Sequence, residues 1–220
     1  MVYKGVFPTT KEPVTILCKE RFVIGYSVKR KNPLWTAEIL TFDNLSAARP
    51  SRTNPFKIDP TLPSKNQSQL SDFVGNELDR GHMVPFENVA DNPIAVKESF
   101  YMTNMVPQYE SNNRGIWKSV EIKIRKLPMS KGYVYIVTGP IFDDNPQVLQ
   151  SGAQIPTKLF KMVISPTTKE SFTVVVPNEQ DIPSSALPKF FVKISDLQRI
   201  NPRINPLPTG GRFSQKREFR

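Results

Sequence analysis

The sequence is poor in the residues that build disulfides and metal cages. It has a single cysteine, Cys18, and a single histidine, His82, in 220 residues. One cysteine cannot close an internal disulfide, and one cysteine with one distant histidine cannot form a closed structural zinc site. Cys18 follows the apolar residues VTIL, which predicts a small buried thiol. Disulfide scaffolds and zinc modules are therefore excluded as fold classes.

Long apolar runs are missing as well. No stretch approaches the roughly 18 apolar residues that a membrane-spanning helix needs. The opening residues, MVYKGVFPTTKEP, lack the charged-then-apolar pattern of a secretory signal. We therefore expect a soluble protein with no membrane partner, and the sequence does not indicate its compartment.

Positive charge is abundant. Thirty Lys and Arg residues stand against 20 Asp and Glu, for a formal net charge of +10. Hydrophobic residues make up 38% and charged residues 23%, which is typical of a folded globular protein. The excess of positive charge favours a polyanionic partner, either nucleic acid or an anionic membrane surface. Charge alone does not indicate catalysis.

The hydrophobic pattern predicts an α+β fold. Periodicity at three- and four-residue steps predicts a helix over residues 112–126, and the polar residues 43–77 predict a long surface connection. We expect a single domain over residues 1–200 and a loose, basic, Pro/Gly-rich tail over residues 201–220. Runs of β-branched and aromatic residues predict strands at residues 22–28, 34–40, 99–106, 133–138, 159–164 and 172–176.

The only histidine lies in the segment Asp79-Arg80-Gly81-His82. A lone histidine is more often structural, but imidazole is also the most common general base near neutral pH. Arg80 offers a fork of donors suited to a phosphate, and Gly81 lets the backbone approach a ligand closely. A surface salt bridge between Arg80 and Asp79 and an ordinary turn glycine are the plainer alternatives.

Two later segments complete a pattern. Residues 103–108 read TNMVPQ, and residues 112–121 read NNRGIWKSVE. With DRGH they resemble the DNA/RNA nonspecific endonuclease family of the ββα-metal (His-Me finger) class, which includes the Serratia-type nucleases and endonuclease G. The family pattern is DRGH, then N-x-x-P-Q, then an Asn that opens a helix with Trp and Glu four and eight residues later. The matching residues are Asn104, Pro107, Gln108, Asn113, Trp117 and Glu121.

The resemblance extends over most of the chain and implies both fold and activity. It implies a ββα-metal nuclease fold with a central antiparallel sheet and few helices. It further implies a Mg²⁺-dependent endonuclease, with Mn²⁺ or another divalent cation as alternatives, that cleaves DNA and RNA largely without sequence preference. His82 would deprotonate the attacking water, and Asn113 would be the one direct protein ligand of a hydrated cation. A homodimer and a protein inhibitor are further expectations.

Glu121 follows Asn113 by eight residues. On a regular α-helix these positions differ by about 80° in azimuth and about 12 Å along the axis. We therefore expect Glu121 to hold the metal through water rather than directly. The plainer alternatives are a helix cap for Asn113 and, for Glu121, a solvated glutamate paired with Lys118 or Arg125.

Three further residues belong to the predicted site. Arg80 is expected near the phosphate, and Asn104 either supports the histidine or the scissile phosphate or stabilises a turn. The family also carries an arginine upstream of an aromatic-x-x-Asp element, which residues 56–59 (FKID) resemble. Arg52 is the best match for that arginine, with Arg49 as a competitor. By contrast, we expect Trp117 and Val120 in the core.

Two other functions compete with the endonuclease. A catalytically silent nucleic-acid-binding protein would use the same charge, but it would be expected to lose at least one of His82, Asn113 and Glu121. An enzyme for small phosphate esters would have no need of an extended basic surface.

Overall fold

A large, mostly antiparallel sheet forms the centre of the protein. The computed structural model describes residues 7–46, 56–206 and 214–215. In chain order the strands are β1 (Thr9–Thr10), β2 (Thr15–Cys18), β3 (Phe22–Ser27), β4 (Asn32–Leu40), β5 (Leu78–His82), β6 (Met105–Tyr109), β7 (Val134–Ile141), β8 (Lys158–Ser165), β9 (Glu170–Pro177), β10 (Phe191–Val192), β11 (Ile204–Asn205) and β12 (Ser214–Gln215). The central sheet has the order β10-β9-β8-β7-β4-β3-β2, and β12 pairs in parallel with β9. Strands β5 and β6 form a separate two-stranded ribbon, as do β1 and β11.

The helices are short. They are α1 (Phe42–Ser46), α2 (Pro93–Ser99), α3 (Glu110–Asn112), α4 (Lys118–Ile124), α5 (Pro128–Lys131) and α6 (Ile194–Ile200), and a π-helical turn, Asn113–Trp117, joins α3 to α4. Short 3-10 turns occur at Ser64–Asn66, Leu70–Phe73, Phe86–Asn88, Met102–Asn104 and Ser184–Phe190.

The predicted α+β class and the central antiparallel sheet are confirmed. The runs of β-branched and aromatic residues do form β3, β4, β7, β8 and β9. Of the strand predicted at residues 99–106, only Met105 and Val106 lie in β6, because Thr103 and Asn104 use their side chains in hydrogen bonds that hold a 3-10 turn at Met102–Asn104. The helix begins earlier than predicted, at Glu110.

Each face of the sheet supports its own hydrophobic core. On one face, α4 and the π turn bury Ile116, Trp117, Val120 and Ile124 against β7, β8 and β9, as their periodicity predicts. On the other face, α6 packs Ile194 and Leu197 against aromatic and aliphatic side chains of β4, β7 and β8. The ββα unit of β5, β6 and the helix therefore lies on one side of the sheet.

The connection predicted over residues 43–77 is anchored in its described part. The buried carboxylate of Asp59 accepts hydrogen bonds from Lys19 Nζ at 2.7 Å and Thr103 Oγ1 at 2.6 Å. Its backbone amide donates to Gln67 Oε1 at 2.9 Å. These buried polar groups tie residues 56–73 to the body of the protein.

Two expectations need correction. Cys18 is exposed rather than buried, because alternation along the edge strand β2 turns Leu17 inward and Cys18 outward. The first residues of the predicted tail are packed: Ile204 is buried and pairs with Thr10. One isoleucine between prolines gives no period that would reveal this contact. The domain boundary at residue 200 stays a prediction.

Candidate active site

The ribbon of β5 and β6 places His82 at the end of a strand. Asp79 pairs with Gln108, Gly81 with Val106, and His82 with Met105. A Cβ atom at position 81 would lie 2.2 Å from Gln108 Oε1, so the position requires glycine. Glycine there serves the packing of the ribbon, which explains the third letter of DRGH.

Aromatic rings hold the imidazole. The His82 ring meets Phe100 edge-on, with centroids 5.1 Å apart, and lies tilted against Phe56 at 5.5 Å. Such contacts limit rotation of the ring. The histidine lines an open cleft, so its packing leaves it accessible from one side.

Asn104 fastens the chain directly after the histidine. Its amide oxygen accepts from Val84 N at 3.1 Å, and its amide nitrogen donates to the carbonyls of Val84 and Ser99 at 2.9 and 2.8 Å. The backbone carbonyl of Asn104 also accepts a hydrogen bond from Met83 N at 3.0 Å. The side chain is fully buried and does not line the cleft. Of the three roles predicted for Asn104, this geometry fits a stabilised turn and support of the chain that carries His82, and it does not place the side chain against a phosphate in the cleft.

The π turn brings Asn113 and Glu121 close to one face of the helix. A π turn contains one more residue than an α turn. Eight residues that include a π turn therefore rotate about the helix axis by about as much as seven α-helical residues. The expected offset of about 80° then shrinks to about 20°. Both side chains line the same cleft.

Asp79 orients the amide of Asn113. Asn113 Nδ2 donates to Asp79 Oδ2 at 2.9 Å, so the amide oxygen is the end left to face the cleft. Arg114 binds both carboxylate oxygens of Asp79, at 2.9 and 2.7 Å. Asp79 therefore pairs with Arg114 rather than with Arg80, and it holds the amide of Asn113 in place.

Glu121 meets a buried cation beneath the cleft. Lys161 Nζ lies 3.9 Å from Glu121 Oε1, and its side chain is 2% exposed. A second carboxylate, Glu38, is also buried and accepts from Asn88 Nδ2 at 3.0 Å. Burial raises the pKa of Glu38 to about 7, although the positive charge of Lys161 opposes the rise. Burial likewise lowers the pKa of Lys161, against the pull of Glu121 and Glu38.

Arg80 lies between two aromatic rings at the edge of the cleft. Its guanidinium is 5.1 Å from the centroid of Phe56 and 5.2 Å from that of Phe73, and Nη2 donates to the Leu70 carbonyl at 3.0 Å. This clamp fixes a positive charge that was expected near the phosphate. The upstream candidates Arg52 and Arg49 lie outside the described residues.

The cleft has a volume of about 520 Å³ and a mixed charge in which cations prevail. Its charged lining residues are Arg80, Arg114, Lys118 and Arg125 against Asp79, Glu87 and Glu121. An excess of fixed cations around a histidine and two oxygen donors suits a phosphate diester. The sequence predicted His82, Arg80, Asn113 and Glu121 as members, and the structure brings those four together.

Several cleft residues were missed as members of the site. In the sequence, Arg114 stands out only as a motif residue, Asp79 as a motif residue and possible partner of Arg80, and Lys118 and Arg125 as possible partners of Glu121. The sequence contains one signal that could have identified Lys161 and Glu38. Each is the only charged residue in a largely apolar strand, LFKMVI for Lys161 and LWTAEIL for Glu38. Such a charge ordinarily marks the solvent face of a strand.

The donors present fit a sparsely coordinated Mg²⁺. Hard oxygen ligands suit this ion, which usually retains several waters and takes one or two ligands from the protein. The orientation of Asn113 by Asp79 provides one such oxygen, and Glu121 provides a carboxylate on the same helix face. Within residues 7–46 and 56–206, no group of three or more His, Cys, Asp or Glu side chains could form an all-protein metal cage.

Comparison with known proteins now identifies the family. The model described as DNA/RNA non-specific endonuclease matches residues 2–208. The chain belongs to the DNA/RNA non-specific endonuclease family. Membership makes it a nuclease, a hydrolase that acts on nucleic acid, as the motifs predicted.

Individual relatives agree with this family. Nuclease C1 of Cunninghamella echinulata var. echinulata is 31% identical over 197 residues, which cover 82% of this chain and 78% of the relative. The mitochondrial nuclease of Saccharomyces cerevisiae is 32% identical over 204 residues, covering 82% and 62%. Mouse nuclease EXOG, mitochondrial, is 29% identical over 195 residues, covering 81% and 53%. The chain thus spans less than two thirds of the yeast and mouse proteins.

A solved structure supports the fold of this endonuclease family member. A chain in the crystal structure of the EndoG/EndoGI complex, which was described for the mechanism of EndoG inhibition, matches this chain with a TM-score of 0.77 at 24% sequence identity. The match covers 86% of this chain and 84% of that one.

In the part of the chain that the structure describes, no helix is long and apolar enough to cross a membrane.

Proposed function

We propose that this chain is a Mg²⁺-dependent endonuclease that hydrolyses phosphodiester bonds of DNA and RNA largely without sequence preference, with His82 as the general base and Asn113 as the metal ligand. The observation that carries the proposal is the convergence of His82, Asn113 and Glu121 on one cation-rich cleft. His82 ends strand β5, whereas Asn113 and Glu121 lie on the helix more than 30 residues later, so sequence proximity does not explain the meeting of the histidine with the two oxygen donors.

His82 is suited to take a proton from water. Hydrolysis of a diester needs an activated water, and a held imidazole at the end of β5 can accept its proton. The rings of Phe56 and Phe100 restrict the imidazole, which lowers the entropy lost in the reacting geometry. When bound, the divalent cation supplies charge stabilisation for the phosphoryl oxygens and the departing 3′ oxygen.

The remaining side chains hold the ion and the substrate. Asn113 offers its amide oxygen, and Glu121 accepts hydrogen bonds from the waters that the ion retains. Arg80, Lys118 and Arg125 provide fixed positive charge for the phosphate backbone. Because phosphate and sugar carry no base code, cleavage should be largely independent of sequence and should weaken with added salt.

The test compares the wild type with His82→Ala on supercoiled plasmid, on RNA and on bis(p-nitrophenyl) phosphate, each with Mg²⁺, Mn²⁺ or EDTA. We expect cleavage of both polymers, abolished by EDTA, slow reaction of the small diester, and a loss of about 100-fold or more in the variant. Cys18→Ala, exposed on the edge strand β2, is the control that should keep full activity. Imidazole added to His82→Ala should restore part of the rate.

The outcomes separate the competing functions. If the wild type binds plasmid but leaves it intact in every divalent cation, the silent nucleic-acid-binding protein replaces the enzyme. If bis(p-nitrophenyl) phosphate reacts faster than the polymers, the enzyme acts on small esters. The homodimer and the protein inhibitor stay predictions, to be tested by light scattering and by affinity capture.

A further inference from the structure

Lys161 is a buried cation in the middle of the central sheet. Its neighbours on β8, Phe160 and Met162, face the apolar core against α6, while Lys161 faces the core beneath the cleft. The ammonium donates to Thr138 Oγ1 at 2.9 Å and to the Met83 carbonyl at 3.1 Å, and it lies 5.1 Å from the centroid of Trp117. Neutral partners satisfy its hydrogen bonds without balancing its charge.

A buried ion pair is a poor device for stability alone. The desolvation penalty of two charges can exceed their attraction, and well-packed apolar residues often stabilise a core equally well. If Lys161 served only to balance the charge of Glu38, the pair of Lys161 with Glu38 would be enough. Lys161 also lies 3.9 Å from Glu121, a residue that lines the cleft, so the cation has a second carboxylate partner.

The contacts of Lys161 connect the two halves of the site. Met83, whose carbonyl accepts from Nζ, directly follows His82 at the end of the ribbon. Glu121 belongs to α4, and the ring of Trp117, in the π turn just before α4, lies against the lysine. One side chain therefore joins the strand of the histidine to the helix of the metal-binding residues, from the floor of the cleft.

We propose that Lys161 is a positioning residue that holds the carboxylate of Glu121 at a fixed place relative to His82, aimed into the cleft, so that it can bind the hydration shell of the cation. The inference rests on the proposed function, since it assigns a device to the same site. Lys161 itself touches neither water nor substrate.

The test uses Lys161→Met in a Glu38→Gln background, so that removal of the cation leaves no second buried carboxylate uncompensated. Mn²⁺ binding to the full chain is measured by electron paramagnetic resonance without nucleic acid, together with the Mg²⁺ concentration that gives half-maximal plasmid cleavage. We expect Mn²⁺ to bind about 10-fold or more weakly, as for other losses of outer-sphere support. Glu38→Gln alone and Lys158→Met, on the same strand, should bind Mn²⁺ as the wild type does.

A thermodynamic cycle with Glu121→Gln shows whether Lys161 acts through that carboxylate. On the Glu121→Gln background, the change at position 161 should weaken Mn²⁺ binding no further, because coupled residues give non-additive effects. Lys161→Gln, also with Glu38→Gln, keeps a polar group for Met83 and Thr138 and serves if the methionine variant does not fold. It should show the same loss.

Each contrary result has its own meaning. If the double variant binds Mn²⁺ like the wild type, Lys161 merely balances Glu38 and the inference fails while the endonuclease stands. Equal losses on the wild-type and Glu121→Gln backgrounds would also overturn it, since Lys161 would then act by another route. A wild type that neither binds Mn²⁺ nor cleaves plasmid overturns the proposed function and, with it, this inference.

Discussion

The two faces of the central sheet are built differently from the same strands. Toward α6, strands β4, β7 and β8 present a largely apolar set: Trp35, Ala37, Tyr135, Val137, Phe160 and Met162. Toward the cleft, the same strands present Thr36, Glu38, Thr138 and Lys161, all buried. Both faces carry a hydrophobic core, but only the cleft face adds a buried lysine and a buried glutamate beneath the site. Buried polarity thus marks the functional side of the sheet more clearly than shape does.

The largest effect should come from adding a buried charge to the other face, at the residue next to Lys161. Met162→Lys would place an ammonium among the buried apolar side chains that pack against α6. We expect a loss of about 3–5 kcal/mol in the free energy of unfolding, measured by urea denaturation. Met162→Leu, which conserves volume, should cost less than about 1.5 kcal/mol. Equal midpoints for the two variants would show that the two faces do not differ in this way.

On the cleft side, substitution should affect activity more than stability. Asn113→Ala removes the proposed metal ligand, and we expect plasmid cleavage to fall about 100-fold or more, equivalent to about 2.7 kcal/mol in the barrier. The thermal midpoint should change little, because Asn113 is only partly buried. Ser119→Ala, on the same helix and outside the cleft, is the control. A fall in stability that accounts for the lost activity would contradict the assignment.

A smaller effect is expected when the support of Asn113 is removed. Asp79→Ala frees the amide that Asp79 holds, and metal affinity should weaken by about 10- to 100-fold. Arg114→Gln removes the salt bridges to Asp79 and Glu110 but leaves Asp79 in place against Asn113, and the arginine side chain is 62% exposed. Such a bridge contributes about 1 kcal/mol or less, so we expect a change of at most a few-fold. Titration with Mn²⁺ measures both, and equal losses would assign the effect to charge rather than to orientation.

The last effect concerns the dependence of stability on pH. Burial raises the pKa of Glu38 to about 7, so the folded protein holds this proton more tightly than the unfolded chain does. The group therefore adds stability below its ordinary pKa of about 4.5, and the contribution is lost as pH rises through about 7. Glu38→Gln should lose less stability than the wild type between about pH 5 and pH 8 in thermal melts. Parallel curves for the two proteins would show that Glu38 does not titrate in this window.

The sequence predicts the sheet well where one pattern dominates. Strands β3, β4 and β7 to β9 are runs of β-branched and aromatic residues between turn residues, so their propensity agrees with their place in the fold. Strand β5 was missed because LDRGH is mostly polar, and it forms through pairing with β6 and the close packing of Gly81 on Gln108. Helix α6 is only seven residues long, too short for a clear period.

For the site, motif residues could be predicted and their supports could not. His82, Asn113 and Glu121 lie in recognisable segments with fixed spacing. Lys161 and Glu38 lie far from those segments, and only antiparallel pairing of β4, β7 and β8 brings them under the cleft. The π turn was also beyond prediction, since periodicity at three and four residues fits either helix type over so short a length.

That π turn means the helix carries one surplus residue, stored as a bulge between the two oxygen donors. Gly115 has open space around it, and its deletion would let the segment return to a regular α-helix of similar stability. Asn113 and Glu121 would then be separated by seven α-helical residues, nearly the same rotation as now. Deleting two residues instead would rotate the carboxylate by about 100° away from the amide. The helix should therefore tolerate the loss of one residue in this turn without turning the carboxylate away from the amide.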